Sequence, residues 1–242
     1  MSNSSSYLQL GSIEVLVVYK PIKNLHLTIL PPDGRVRVSA PENMNENTIR
    51  TMLAVKLPWI KQQQKKFRAQ ERQTKREYLS GETVYFLGRK YKLELTYKDE
   101  APKVFIKGKT KIILQTRPNA TVDKKAEVFN DWLRQELKPI ITELVTVWQK
   151  KLKVQVKSWQ IKEMKTKWGT CNNRNKTILF NLELAKKPIA CIEYVVVHEL
   201  THLIERTHNE HFISVLDTNL PKWRSIKDDL NRFILSYQNW NK

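Results

Sequence analysis

Before residue 41 the apolar positions run in short β-like stretches. Residues 13–19 (IEVLVVY) form a β-branched run, and residues 25–30 (LHLTIL) and 35–40 (RVRVSA) alternate in part. Between the last two stands Pro31-Pro32-Asp33-Gly34, a strong turn signal, so the pattern predicts a hairpin that Pro41 closes. The period then changes. Ile49, Met52, Leu53 and Lys56 recur near helical spacing, which predicts a helix over residues 45–57 that Pro58 ends. Residues 59–76 are expected to follow as a second, basic helix. Strand signals return after Ser80-Gly81. Residues 83–87 (TVYFL) and 91–97 (YKLELTY) flank Gly88-Arg89-Lys90, and residues 104–106 and 112–115 flank Gly108, which predicts two more hairpins.

The second half reads differently. Phe129, Leu133, Leu137, Ile140, Ile141, Leu144, Trp148 and Leu152 share one helical face within residues 123–152. Pro139 is expected to kink or split that helix. Strands are predicted at residues 154–161 and 177–184, with the polar loop MKTKWGTCNNRNK between them. Pro188 opens a helix expected over residues 189–206, and a last helix is expected over residues 222–237. No internal repeat is evident in the sequence. The fold class expected is α+β. A β-rich part over residues 1–118, with a basic helical insertion near 45–76, precedes a smaller domain over residues 119–242.

Composition narrows the class. The chain has 242 residues, 40% apolar and 28% charged, the balance of a folded protein with room for one large domain or two small ones. It carries six glycines and neither a GxGxxG nor a GxxxxGKS/T motif, which argues against a glycine-rich nucleotide loop. No apolar run approaches the ~18 residues of a membrane span. The N-terminal residues lack a basic segment followed by an apolar one. Cys171 and Cys191 cannot build a disulfide framework. The expectation is a cytoplasmic, reduced protein with no membrane role.

The net charge of +19 raises the question of nucleic acid. The densest stretch, residues 60–76, holds seven Lys and Arg against the single acid Glu71. No helix-turn-helix, zinc-finger or RNP motif accompanies it, so a solvated helix face is the plainer reading.

Histidine carries the strongest chemical signal. Four of the five histidines lie in HELTHLIERTHNEH, residues 198–211. His198 and His202 are four apart, so on a helix they share one face and reach one tetrahedral zinc. Glu199, beside the first, is placed to take a proton from a water that the metal acidifies. The apolar lead-in IEYVVV suits a buried helix. An open catalytic site wants a third protein ligand. His208 is favoured on spacing, His211 is its rival, and Glu205 and Glu210 are weaker candidates. The interval from His202 to His208 is similar to that of metzincins, but Glu205 stands where their glycine does.

At these residues the chain resembles the YgjP-like metallopeptidase family, small bacterial zincins related to the SprT and WLM proteases. The resemblance runs in order along nearly the whole chain. It comprises PDGRVRVSAP, then Leu87-Gly88-Arg89-Lys90-Tyr91, then Lys167-Trp168-Gly169-Thr170-Cys171, then YVVVHELTHL, then HNEHF. Thr170, Lys167 and Ile213 depart from the family's usual serine, arginine and tryptophan. The resemblance implies a zincin-like C-terminal domain, one zinc ion at His198, His202 and His208, and Glu199 as general base. The implied substrate is a peptide or protein. Trp168, on a loop that walls the cleft, and Asn181, on the strand before the metal helix, are the expected substrate contacts. Two other functions stay open on sequence alone: hydrolysis of a nucleotide phosphoanhydride at the same metal, or a basic module that binds nucleic acid or protein. Kin of the family act on DNA-bound proteins, so binding and cleavage are compatible.

Overall fold

A computed structural model describes residues 4–30, 34–69, 76–164 and 167–232. The chain divides into two compact units, with the division falling near residue 72.

The first unit begins with β1 (Ser5–Leu10), β2 (Ile13–Lys20), β3 (His26–Leu30) and β4 (Arg35–Pro41) and ends with α1 (Glu46–Ala69). The sheet order is β1-β2-β4-β3. β2 and β4 pair in parallel, and each also pairs antiparallel with an outer strand. Alternation fixes the register: Ile13, Val15 and Val17 are buried while Glu14 is exposed. The β3–β4 hairpin predicted from the sequence is present, and most of its turn, residues 31–33, lies outside the described residues.

α1 is one continuous helix with Pro58 inside it, not two helices broken there. Ile49, Leu53 and Ile60 are fully buried on the same core as Val15 and Val38. That apolar stripe continues in phase across Pro58, and packing outweighs the one hydrogen bond the proline removes.

The second unit starts with β5 (Thr83–Phe86), β6 (Arg89–Tyr97), β7 (Lys103–Lys107), β8 (Lys111–Thr116) and α2 (Val122–Lys151). Its sheet order is β5-β6-β8-β7, again with a parallel central pair and two antiparallel flanks. The four strands and long helix of the first unit therefore recur here in the same order. The sequence hides this repeat because the same pleat is filled by different apolar residues. The sequence places a boundary near residue 118. In the structure β5–β8 share a core with α2, through Val84, Phe86, Leu93, Ile112, Phe129 and Leu133, so this sheet belongs to the same compact unit as the helix.

α2 starts at Thr121, whose hydroxyl accepts from the Lys124 amide, and Lys150 and Lys151 lie in its last turn, favourable to the helix dipole. Like α1 it runs unbroken past its proline, because Leu133, Leu137, Ile141, Val145 and Trp148 continue one buried stripe. A small sheet follows, β9 (Ser158–Lys162), β10 (Gly169–Asn172) and β11 (Thr177–Asn181), in the order β10-β11-β9. The unit ends with a 3-10 helix (Leu182–Lys186), α3 (Ile189–Thr201), α4 (Glu210–Asn219) and α5 (Trp223–Arg232). The remainder of the last predicted helix, residues 233–237, lies outside the described residues. Among the described residues no helix is long and apolar enough to cross a membrane.

Candidate active site

α3 carries the site and is largely buried. Ile192, Val195, Val196, Val197 and Leu200 are buried, as an almost wholly apolar helix requires. The indole N–H of Trp148 on α2 donates to Glu193 at 2.9 Å, tying α3 to its neighbour. The turn before β6 abuts the start of the helix. Leu87 and Gly88 donate their amides to the carbonyls of Ala185 and Lys186. A Cβ on Gly88, which has φ of +79°, would meet Pro188 Cγ at 2.7 Å, so glycine permits both the turn and the close approach.

The helix stops at His202 rather than continuing to residue 206. Ile204 and Glu205 both donate their amides to the Thr201 carbonyl at 2.9 Å, which turns the chain away from the helix axis. The Glu205 carboxylate then accepts from the Thr207 amide and hydroxyl at 3.0 and 3.1 Å and folds the connection back. His208 follows. Asn209 caps α4 by accepting from the Phe212 amide. α4 is absent from the sequence expectations. Its signal was present: a capping Asn, an acid next, then Phe212, Val215 and Leu216 at helical spacing.

This geometry brings His198, His202 and His208 together, with one ring nitrogen of each within 4.8 Å of the others. The His198 and His208 Nε2 atoms are 3.1 Å apart. Two nitrogens on one tetrahedral zinc, each about 2.0–2.1 Å from it, lie about 3.3 Å apart, so the pair fits such an ion. His202 Nδ1 is 3.2 Å from the Glu205 carbonyl. A carbonyl only accepts, so Nδ1 bears the hydrogen and Nε2 keeps its lone pair for a metal. His198 Nδ1 is buried with no partner among the described residues. Burial, with the other two imidazoles, pulls the His198 ring down to about 3, so it is neutral, as a ligand must be. His211, the rival third ligand, lies in the first turn of α4 and is not in the cluster.

Phe212 underlies all three imidazoles, with ring centroids 5.1, 4.8 and 4.6 Å from those of His198, His202 and His208. Sequence reasoning missed this role, because a buried aromatic four residues past a histidine reads as ordinary core. Phe212→Ala is expected to cost about 3–5 kcal/mol of stability and to loosen the histidines together. Thermal unfolding and a metal-binding titration measure the two effects. An unchanged metal affinity would show that the ring only fills space.

Glu199 is 5% exposed and lies on α3 beside the cluster. Burial pushes its carboxyl up to about 8, and the Lys167 ammonium works against that shift. Residues 169–172, predicted as a polar loop, are instead strand β10, because pairing with β11 overrides the weak propensity of GTCN. β10 passes directly over the glutamate. A Cβ on Gly169 would lie 2.6 Å from both Glu199 Cγ and Oε1. Gly169→Ala is therefore expected to displace that carboxylate and lower peptidase activity at least about tenfold. Metal content should stay at the wild-type level. Loss of metal in parallel would locate the damage at the histidines instead.

The cleft above these groups has a volume of about 970 Å³ and is lined by Lys167, Gly169, Cys171, Arg174, Arg206 and the histidines, among others. Burial holds the Cys171 thiol up at about 11, with Glu199 adding to the shift, and Cys171 is not part of the histidine cluster.

The two expected substrate contacts are placed elsewhere. Trp168 does not line the cleft; its ring packs against the core, with the Lys187 ammonium 5.2 Å from its centroid. Asn181 is buried, and its amide is spent on backbone. Nδ2 donates to the Met164 and Lys167 carbonyls at 2.8 and 2.7 Å, and Oδ1 accepts from the Glu183 amide at 3.1 Å. Asn181 thus shapes the chain leading to β10 and has no polar group left for a substrate. Of the basic stretch 60–76, residues 70–75 and the side chains of 66–69 lie outside the described residues.

Helix-borne histidines, a buried glutamate between them and a third imidazole returned by the chain define a metallopeptidase of the zincin-like class. The chain belongs to the YgjP-like family: that family's metallopeptidase domain matches residues 23–233. It is thus a metal-dependent peptidase by family. No curated protein matches it. Two solved structures are similar in part. The metallopeptidase zymogen abylysin of Pyrococcus abyssi is 20% identical, covers 39% of this chain and 99% of its own, and has a TM-score of 0.36. The metallopeptidase zymogen jannalysin of Methanocaldococcus jannaschii is 21% identical, covers 37% and 92%, and has a TM-score of 0.34.

Proposed function

We propose that this protein is a zinc peptidase in which His198, His202 and His208 hold the ion and Glu199 is the general base. The convergence of three imidazole nitrogens within 4.8 Å, beside a buried carboxylate and open to a cleft, carries the reading. A set of neutral imidazoles with an open position suits zinc. When bound, the ion supplies a Lewis acid that polarises the scissile carbonyl and makes water a nucleophile at neutral pH.

The chain's own groups do the rest. Glu199 accepts the proton of the attacking water and passes it to the leaving amine. A cation beside it favours the carboxylate form that burial alone opposes. The substrate's extended backbone pairs with a strand edge. The strand that carries Asn181, β11, is flanked on both sides by β9 and β10 and has no edge to offer. The edge strand at the cleft is β10, so it takes that role.

The test uses the zinc-loaded protein on an unfolded polypeptide, with new N-termini read by mass spectrometry. Termini that disappear with a chelator and with Glu199→Gln support the reading. None appearing, with one zinc bound per chain, overturns it.

A further inference from the structure

The cleft carries charge of one sign, of which only Lys167 bears on the general base. Lys167, Arg174 and Arg206 all line it, and the one acid in its lining is the buried Glu199. The three cations come from separate places: the approach to β10, the β10–β11 turn and the turn after α3. Across the β10–β11 turn that carries Arg174, the Asn172 carboxamide oxygen accepts from the Asn175 amide at 3.1 Å. None of the three side chains has an ion-pair partner among the described residues, although ion pairs are formed elsewhere, as at Lys111–Glu94 and Lys124–Glu127.

Beyond His208 lies a second, shallower hollow of the opposite character. It is lined by Glu210, Ile213 and Asp217 among others. Arg224 pairs with Asp217, and the Trp223 indole donates to it at 2.7 Å, which fixes that carboxylate in place. The metal cleft is thus lined by cations, and the carboxylates lie in the hollow that shares only His208 with it.

We propose that this enzyme selects peptides with acidic side chains, and that Lys167, Arg174 and Arg206 are the selecting residues. The inference rests on the peptidase reading and specifies its substrate class. Like-charge contact with Glu210 disfavours an acid in the neighbouring hollow, where Asp217 is already paired with Arg224. A nucleotide would satisfy the cations as well, but it leaves unused the free edge of β10, which matches an extended peptide backbone.

The experiment scans a single Glu, Gln or Lys through each position of a quenched fluorogenic peptide, using the zinc-loaded full chain. Glu over Gln is expected to raise kcat/KM about tenfold at the positions that face the cations, through KM. The preference should shrink between about 0.05 and 0.5 M salt, as screening shortens the reach of exposed charges. Arg174→Glu with Arg206→Glu is expected to bring the Glu-to-Gln ratio to one or below, with metal content unchanged. Cleavage with no dependence on peptide charge overturns the inference and leaves the peptidase standing. If no peptide is cut, anisotropy of the same labelled peptides on Glu199→Gln protein decides separately. Tighter binding of the Glu peptides, lost in the double variant, upholds the charge selection while the peptidase reading falls. Charge-blind binding, or hydrolysis of a nucleoside triphosphate with no peptide bound, overturns both.

Discussion

Glu199→Gln is expected to lower peptidase kcat by about 10²–10⁴-fold while the protein keeps its fold and its metal. The substitution preserves shape and removes only the ability to accept a proton. The buried site gives the amide a defined place, since Gly169 lies against the side chain without a Cβ. No ligand nitrogen is altered, so zinc content by mass spectrometry should match wild type. Steady-state cleavage of one peptide by both proteins measures the ratio. A fall of less than about threefold would remove Glu199 from the chemistry and point to solvent as the base. Loss of zinc together with activity would make the glutamate a structural support of the site.

His202→Ala is expected to take bound zinc from about one per chain to near none, and to remove the metal's contribution to stability. An ion present at about a thousand times its dissociation constant stabilises the native state by about 4 kcal/mol. For a unit of this size that corresponds to a Tm difference of about 10 °C between metal-loaded and chelated wild type. The His202→Ala protein should melt at one temperature in either condition, because the Nε2 that the Glu205 carbonyl leaves available is gone. Differential scanning calorimetry with and without chelator reads this directly. A chelator-dependent Tm that survives in the variant would place the metal elsewhere.

The metal motif needed only local geometry to be legible. His198 and His202 are four residues apart in an apolar segment, and the pitch of any helix formed there sets them on one face. The same holds for the β-hairpins, where the period of two and the turn residues agree. Long-range packing was not legible. Pro58 and Pro139 argued locally for breaks, and α1 and α2 run through them because buried stripes on either side share one phase.

The site divides in the same way. By itself the sequence determined the family resemblance, the histidine pair, the glutamate beside it and a choice between two third histidines. Tertiary structure decided that the chain turns back at Glu205 and delivers His208, that Phe212 supports the cluster, and that GTCN is an edge strand over Glu199. It also turned Trp168 to the core and spent Asn181 on backbone carbonyls. Helix pitch and strand pleat are properties of neighbouring residues and can be read in order along the chain. The direction a polar side chain faces depends on which distant backbone groups need a partner, and only the folded arrangement supplies those.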